Sequence, residues 1–353
     1  MKIVLVIPTF LSGGMERVMS ELANHWAHEG VHVDLIFLVD HEPFYQISEK
    51  LNSVSMPSFG YKKNVLSKLF YKVKLLFYLR RKYKNLNPDV VLSFGEGYNL
   101  FVILSTLGTK KKIYVANRSN PFKKLPFMLK MFEKVLYPIA EGIFVQTSLA
   151  KEVVYNKIKH ENIKVIPNPI KVIPKAKVEQ KNIILNVGRL VPEKDQANLI
   201  KIFYEMNLND WELHIVGDGP LRNNLEKLIE EYGLQSRVKL LGSKKDLSPY
   251  FSQSKIFAFS SISEGYPNAL CEAMAFPLAC ISFDCDAGPR DIIKDGMNGF
   301  LIEKNNVENY KAKLLQLIHS EELRNNFSQE SVRIRDAQSI KEIGHMMFNS
   351  FES

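Results

Sequence analysis

Two carboxylates, Glu264 and Glu272, stand eight positions apart in the stretch Ser263-Glu264-Gly265-Tyr266-Pro267-Asn268-Ala269-Leu270-Cys271-Glu272-Ala273-Met274-Ala275. An apolar, strand-like run, Ile256 to Ser261, precedes it. Pro267 suits a first helical position and the residues after it are mostly good helix formers, so a strand, a loop and a helix are expected. Tyr266, before a proline, stays extended. Glu264 then lies on the loop at the strand's carboxyl end and Glu272 inside the helix. Each ionised carboxylate accepts hydrogen bonds at two oxygens, which suits a polyhydroxylated ligand. The amides of Asn268, Ala269 and Leu270 at the helix start are placed to meet an anion, with the helix dipole behind them. The plainer alternative is a capped helix carrying two solvated glutamates. Gly265 and the location at a strand's end, where open α/β sheets bind ligands, favour the site.

A second set of reactive types is cationic. The strand-like run Asn182 to Val187 leads into Gly188-Arg189-Leu190-Val191-Pro192-Glu193-Lys194. Arg189 offers a planar fork of donors and Lys194 a point charge, and together they suit a diphosphate. As isolated residues they would be plain surface cations. Gly217-Asp218-Gly219-Pro220 and Gly242-Ser243-Lys244 end two further strand-like runs. Asp284-Cys285-Asp286 invites a metal reading, but a lone Asp-x-Asp is weak and the two cations already serve a diphosphate, so no metal is expected. No Cys/His spacing resembles a zinc site.

Positioning these groups takes an alternation of strands and helices through the whole chain. Ile3 to Ile7 is a continuous apolar run, as for a strand buried on both faces. Gly13-Gly14-Met15-Glu16 follows Ser12 and opens a helix whose apolar residues recur at Val18, Met19, Leu22, Ala23 and Trp26. Further strands are expected at 31–39, 90–94, 113–116 and 143–146, then at 212–216, 238–241 and 278–283. This is the pattern of doubly wound α/β domains. We expect a first domain over 1–170, a lysine-rich linker over 171–181 and a second domain over 182–334, with a helix at about 335–353 returning to the first. At 353 residues, 46% hydrophobic and 24% charged, the chain has the make-up of a soluble globular protein large enough for two cores. No apolar run is long enough for a membrane span. Cys271, Cys280 and Cys285 are too few and too clustered for a disulfide framework, which favours buried thiols in a reducing cytoplasm.

Charge is uneven. Residues 1–170 hold 24 Lys and Arg against 13 Asp and Glu, whereas the remaining residues hold 23 against 25. An anionic partner of the first half follows, whether a membrane surface, a phospholipid or a nucleic acid. Residues 61–84 contain nine basic residues and no acid. There Leu66, Leu69, Phe70, Val73, Leu76 and Phe77 read as one apolar face, with Lys68, Lys72, Lys74 and Arg80 elsewhere. A second cluster comprises Lys110 to Lys112, Arg118, Lys123, Lys124, Lys130 and Lys134, with Leu125, Phe127, Met128 and Leu129 interleaved. A basic amphipathic helix reads as interfacial. It can equally be a surface helix that packs its apolar face on the sheet and turns the basic face outward.

The ordered set Gly13-Gly14-x-Glu16, Gly188-Arg189-Leu190-x-x-x-Lys194, Gly217 to Gly219, Gly242 to Lys244 and Glu264 to Ala275 resembles the signature of the family-four retaining glycosyltransferases of GT-B fold. The resemblance runs through essentially the whole chain. It implies two Rossmann-like domains facing across a cleft, and transfer of a sugar from a nucleotide donor with retention at the anomeric carbon. It implies that Glu272 holds the donor ribose, and that Glu264 lies near the reacting sugar. Arg189, Lys194 and the amides of 268–270 would then stabilise the leaving diphosphate, without a metal or other cofactor. It places Gly13, Gly14, Gly188, Gly242 and Lys244 against the donor, and Glu16, Asn117 and Arg118 on the acceptor side. Relatives often carry a histidine near Asn117-Arg118, and this chain has none there. The Glu-Gly-Tyr-Pro-Asn and Asp-Ala-Gly-Pro-Arg-Asp forms look like those of UDP-hexose or UDP-N-acetylhexosamine enzymes, galactose or N-acetylgalactosamine foremost. The basic first half suits a lipid-linked, phosphate-bearing glycan, with the enzyme peripheral at the inner face of the cytoplasmic membrane. A GT-B-fold sugar-nucleotide epimerase fits the domain pair but not the basic first half, and GDP-mannose is the rival donor. A nucleic-acid partner explains the charge alone, and no nucleic-acid-binding motif is present.

Overall fold

The computed structural model describes residues 1–9, 13–39, 43–55, 57, 65–123 and 126–352, without the side chains of 65–69. Ser12, residues 61–64, the side chains of Leu66, Lys68 and Leu69, and Lys124 and Leu125 therefore lie outside the described residues. The chain forms two compact units, Met1–Pro169 with Ser339–Ser353, and Ile170–Gln338.

Unit 1 runs β1 (Lys2–Ile7), α1 (Gly14–His28), β2 (His32–Phe37), β3 (Ser53–Ser55), α2 (Val65–Leu86), β4 (Val90–Phe94), α3 (Glu96–Thr106), β5 (Lys112–Ala116), α4 (Phe127–Leu136), β6 (Gly142–Val145), α5 (Ser148–Ile158) and β7 (Ile163–Val165). All its strand pairs are parallel, in the order β3-β2-β1-β4-β5-β6-β7. Side chains of a strand alternate between faces, so Ile3, Leu5 and Ile7 enter the core under α1 while Val4 and Val6 face the layer containing α2, α3 and α5. Both faces are covered, which is why β1 is apolar without alternation.

Unit 2 runs β8 (Ile183–Val187), α6 (Gln196–Glu205), β9 (Glu212–Val216), α7 (Arg222–Glu231), β10 (Val238–Leu240), α8 (Ser248–Gln253), β11 (Ile256–Phe259), α9 (Asn268–Ala275), β12 (Ala279–Asp284), α10 (Pro289–Ile292), β13 (Phe300–Glu303), α11 (Val307–His319), α12 (Glu321–Ser331) and α13 (Ile334–Ala337). Its sheet is also parallel, in the order β10-β9-β8-β11-β12-β13. Strand order reverses between β8 and β11, and such a switch point opens a crevice at the strands' carboxyl ends. Residues 171–181, read as a linker, run along this unit: Ile173 is buried in its core, and the Ala176 amide donates to Ser252 Oγ at 2.8 Å.

The last helix, α14 (Ile340–Glu352), belongs to unit 1. Ile343, Met347 and Phe351 enter the core beside Trp26. Trp26 Nε1 donates to the Gly344 carbonyl at 3.3 Å and the Tyr114 hydroxyl to the Ser350 carbonyl at 2.8 Å.

The apolar face expected of α2 needs correction. The stripe that packs on the sheet is Tyr71, Leu75, Leu79 and Tyr83, whereas Phe70, Val73 and Phe77 are exposed. Tyrosine is buried here because its hydroxyl finds a partner: that of Tyr71 donates to the Leu38 carbonyl at 2.5 Å. Lys72, Lys74 and Arg80 are exposed, as expected, and Lys74 Nζ lies 4.6 Å from the Phe70 ring centroid.

Candidate active site

In unit 2 the loops leaving β8 and β11, on either side of the switch point, are tied together. Ser260 Oγ donates to the Lys194 carbonyl at 2.8 Å, and the Ile262 amide to the Glu193 carbonyl at 2.9 Å. These bonds bring Lys194 Nζ to 2.5 Å from Glu264 Oε1. Only 9% of the Glu264 side chain and 21% of Lys194 is exposed. The Lys194 stem crosses Gly188, where a Cβ would lie 3.5 Å from Lys194 Cδ. Burial pushes the Cys285 thiol up to about 12, and the Glu264 carboxylate adds to the effect. Cys285, Cys271 and Cys280 are all buried and none is in a disulfide.

Two glycines let the β8 and β9 loops interlock. Gly217 has φ +149, and a Cβ there would fall 1.9 Å from the Gly188 carbonyl oxygen. A Cβ on Gly219 would meet the Leu190 carbonyl oxygen at 2.5 Å. Gly242, at φ +72, accepts the Gly217 amide at 3.0 Å and so joins the end of β10 to the end of β9. Arg189 is exposed and forms no ion pair among the described residues; its carbonyl accepts Gln196 Nε2 at 3.0 Å. Lys244 is exposed, 5.9 Å from the Tyr250 ring centroid.

At α9 the structure corrects two expectations. Pro267 is not in the helix: with φ −86 and ψ 65 it is the centre of an inverse γ-turn, in which the Asn268 amide donates to the Tyr266 carbonyl at 3.0 Å. Gly288 packs on this turn, since a Cβ there would sit 2.3 Å from Pro267 Cδ. The Asn268 amide is thus committed, and Ala269 and Leu270 carry the helix-start amides left for an anion. Glu272, half-buried, lies one helical turn beyond Asn268. The Tyr266 hydroxyl donates to Gln338 Oε1 at 2.7 Å. The two acids of Asp284-Cys285-Asp286 already have cationic partners: Arg290 grips Asp284 in a bidentate pair at 3.0 and 2.8 Å, and Lys304 meets Asp286 at 3.1 Å.

In unit 1 the corresponding edge is formed by the ends of β1, β4 and β5. Gly13 caps α1 in extended conformation, and the Tyr45 hydroxyl clamps its peptide, donating to the Gly13 carbonyl at 2.9 Å and accepting the Gly13 amide at 3.2 Å. The Glu16 carboxylate folds over Gly13, where a Cβ would clash at 2.2 Å, and accepts the Thr9 hydroxyl at 3.2 Å. Gly14 begins the helix. Asn117 and Arg118 differ from each other in surroundings. The Asn117 side chain joins an internal network, its Oδ1 accepting the Tyr137 hydroxyl at 2.8 Å and Asn99 Nδ2 at 3.3 Å. Burial drives the Tyr137 pKa well above the phenol range, so it remains a donor. The Arg118 guanidinium stacks 4.4 Å from the Phe94 ring centroid and donates to Asn168 Oδ1 at 3.0 Å.

Sequence reasoning missed Glu96. Its Oε1 accepts the amides of Arg118 and Ser119 at 2.6 and 2.8 Å and so fixes the β5 loop. The signal was available, for Glu96 lies between Gly95 and Gly97 directly after a strand. Tyr45 and Ser260 carried no such signal.

Comparison with known proteins gives the same assignment for both halves. The family described as Glycosyl transferases group 1 matches residues 170–333, and Glycosyltransferase Family 4 matches residues 12–172. An uncharacterized glycosyltransferase of Haemophilus influenzae is 30% identical over 338 residues, covering 94% of each chain. The Campylobacter jejuni GalNAc-alpha-(1->4)-GalNAc-alpha-(1->3)-diNAcBac-PP-undecaprenol alpha-1,4-N-acetyl-D-galactosaminyltransferase is 29% identical and covers 94% of this chain and 92% of its own. Among solved structures, S. aureus TarM in complex with fondaparinux, alpha-GlcNAc-glycerol and UDP superimposes with a TM-score of 0.80 at 17% identity, over 100% of both chains. The GT-B fold is therefore shared with that enzyme.

Proposed function

Because the chain belongs to the family-4 glycosyltransferases, with a group 1 glycosyl transferase match over its second half, we propose that it transfers a hexose or N-acetylhexosamine from a UDP-sugar to a polyprenyl-diphosphate-linked glycan. Galactose or N-acetylgalactosamine is the first choice of sugar, and assembly of a bacterial surface polysaccharide or oligosaccharide the setting. The undecaprenol-linked acceptor named for the Campylobacter relative and the UDP bound by TarM support this reading.

The observation that carries it is the Lys194–Glu264 pair at the switch point of the second sheet. Donor binding brings the diphosphate to Lys194, Arg189 and the amides of Ala269 and Leu270, all donors to an anion. Lys194 then divides its charge between the diphosphate and Glu264, whose carboxylate is left beside the donor sugar. The anomeric C–O bond to the diphosphate breaks, a bond to the acceptor oxygen forms with retention, the acceptor's hydroxyl proton passes to the departing diphosphate, and UDP leaves with its remaining charge held by fixed donors. Glu272, further along α9, holds the ribose hydroxyls. The cations do the charge work a metal would do, so none is required. Glu16 and Arg118 serve the acceptor side, while Asn117 acts through its network.

Among the described residues no helix is long and apolar enough to cross a membrane. Lys72, Lys74 and Arg80 on α2 hold the protein electrostatically to the anionic inner leaflet, each cation near the surface contributing ~1 kcal/mol. The test is a transfer assay with a panel of UDP- and GDP-sugars and an undecaprenyl-diphosphate-linked glycan, run with and without EDTA, with the product's anomeric configuration read by NMR. Transfer from a UDP-sugar, unchanged by EDTA and with retention, is expected. Transfer from GDP-mannose alone, an isomerised sugar nucleotide without acceptor, or a loss restored by manganese would each overturn the corresponding part.

A further inference from the structure

Helix α4 is inside out. Phe127, Met128, Met131, Phe132 and Val135 recur at i, i+1, i+4, i+5 and i+8, the spacing of one helical stripe. That stripe faces outward, with 48% to 75% of each residue exposed. The opposite face holds Leu136 and Glu133, the helix's one acid, and both are buried. Glu133 is ion-paired with Lys157 of α5. A surface helix ordinarily does the reverse, apolar inward and charge outward. The buried ion pair sets the roll of the helix: turning the apolar stripe inward would strip Glu133 of Lys157, an expensive loss for a desolvated charge.

We infer that the outer face of α4 is a ledge that inserts into the apolar margin of an anionic bilayer. An unbroken row of five large apolar side chains marks an interaction surface. Charge identifies the occupant. Lys130 and Lys134 are exposed on α4 itself, and Phe122 is exposed with Lys123 beside it. On α2, which α3 separates from α4, a second exposed stripe, Phe70, Val73 and Phe77, is likewise edged by Lys72, Lys74, Arg80 and Arg81. Apolar side chains rimmed by cations fit acyl chains beneath anionic headgroups. A second copy of the chain would set these lysine rims against each other. Two methionines in the stripe suit a disordered apolar phase, since Met adapts its shape.

Placement agrees. A helix linking two parallel strands runs back against them, so the starts of α2 and α4 lie at the edge of the first sheet that carries Gly13, Glu96 and Arg118. Insertion would hold that edge at headgroup depth, where the diphosphate of a polyprenyl-linked glycan resides. The ledge extends the membrane part of the proposed function by a different force. The cations of α2 attract through space and are screened by salt, whereas an inserted stripe is not.

The test uses the full chain carrying Phe132→Trp and vesicles of phosphatidylcholine with phosphatidylglycerol, a fraction of the lipid brominated in its acyl chains. It contains no sugar and no acceptor, so its outcome is separate from that of the transferase reading. The two native tryptophans, Trp26 and Trp211, are buried and serve as the unquenched reference. Quenching of the F132W indole that persists at about 1 M salt, where the Debye length is ~3 Å, is expected. Met131→Ser with Phe132→Ser should lower partitioning at high salt roughly 100-fold, about tenfold for each side chain no longer buried. These positions are exposed, and an unchanged thermal midpoint verifies the fold. Complete release of the unaltered chain by salt, with no quenching, would overturn the ledge and leave the α2 cations as the whole attachment. Equal quenching in purely zwitterionic vesicles would overturn the choice of an anionic surface. A dimer in solution that dissociates in the double variant would overturn the lipid altogether and assign the ledge to a second copy.

Discussion

Replacing Lys194 by Met tests whether the pair at the switch point is a buried charge couple or an incidental contact. Methionine keeps an unbranched apolar stem over Gly188 and removes the ammonium group. Glu264 is then left 9% exposed without its one polar partner among the described residues. Removing one member of a fully buried pair costs ~3–5 kcal/mol; with Lys194 about a fifth exposed, water relieves part of this, and ~2–3 kcal/mol is expected. Glu264→Gln leaves a cation that can turn to solvent and should cost only ~1 kcal/mol. Combined, Met and Gln leave no isolated charge, so the double variant should lie within ~1 kcal/mol of the unaltered protein, giving a coupling of ~2 kcal/mol. The chain has one tryptophan in each unit, Trp26 and Trp211, so urea unfolding of a Trp26→Phe background reports unit 2 alone through Trp211 fluorescence. Simple additivity of the two single losses would refute the reasoning, because the pair would then contribute nothing as a pair. In activity, Glu264→Gln should lower kcat more than it changes donor KM, since the group acts next to the reacting carbon.

Arg189→Ala should lower kcat/KM for the donor roughly 10- to 150-fold, the loss of one charge-assisted hydrogen bond of ~1.5–3 kcal/mol, with little change in stability because its guanidinium is exposed; unaltered kinetics would remove it from the site. Glu272→Gln should raise the donor KM and leave kcat nearly intact, as expected of a contact to the ribose that is alike in ground and transition states; a fall in kcat alone would contradict this. Gly217→Ala should unfold unit 2 or lower its urea midpoint sharply, because a Cβ at φ +149 would fall 1.9 Å from a carbonyl oxygen; a midpoint within error of the unaltered protein would show that the β8 and β9 loops can separate.

The strand ends were legible in the sequence because parallel strands buried on both faces read as unbroken apolar runs and the chemistry sits on the loops after them. Gly188, Lys194 and Glu264 each follow such a run within a few residues, which assigns them to those loops, and the sheet order sets the loops side by side. The phase of α2 was not legible. Its apolar and aromatic residues spread over much of the helix circumference, and Tyr71 and Tyr83 lie outside the face read from the sequence, although their hydroxyls find partners inside. The turn at Pro267 was hidden for a similar reason: proline fits both a first helical turn and an inverse γ-turn, and only the packing of Gly288 against its ring distinguishes them. Asn117 looked like a residue that faces a ligand. Its partners Asn99 and Tyr137 are 18 and 20 positions away, and no local pattern announces such a network.

The return of α14 to unit 1 has a bearing on how the protein is made. Residues Met1–Pro169 leave the ribosome first, but Ile343, Met347 and Phe351 complete their core, and those emerge only after all of Ile170–Gln338. At about 5–20 residues per second, the ribosome takes roughly ten to thirty seconds over that interval. Throughout it, Trp26, Tyr114 and Phe144 present an uncovered apolar groove, a site where a holding chaperone or a neighbouring nascent chain can bind. Unit 2 has no such wait, since its sheet and helices are contiguous in the chain. A ribosome-bound chain that ends at Gln338 and is followed by a flexible spacer long enough to clear the exit tunnel should therefore show unit 2 resistant to protease and unit 1 still open to it, the reverse of the order in which they were synthesised.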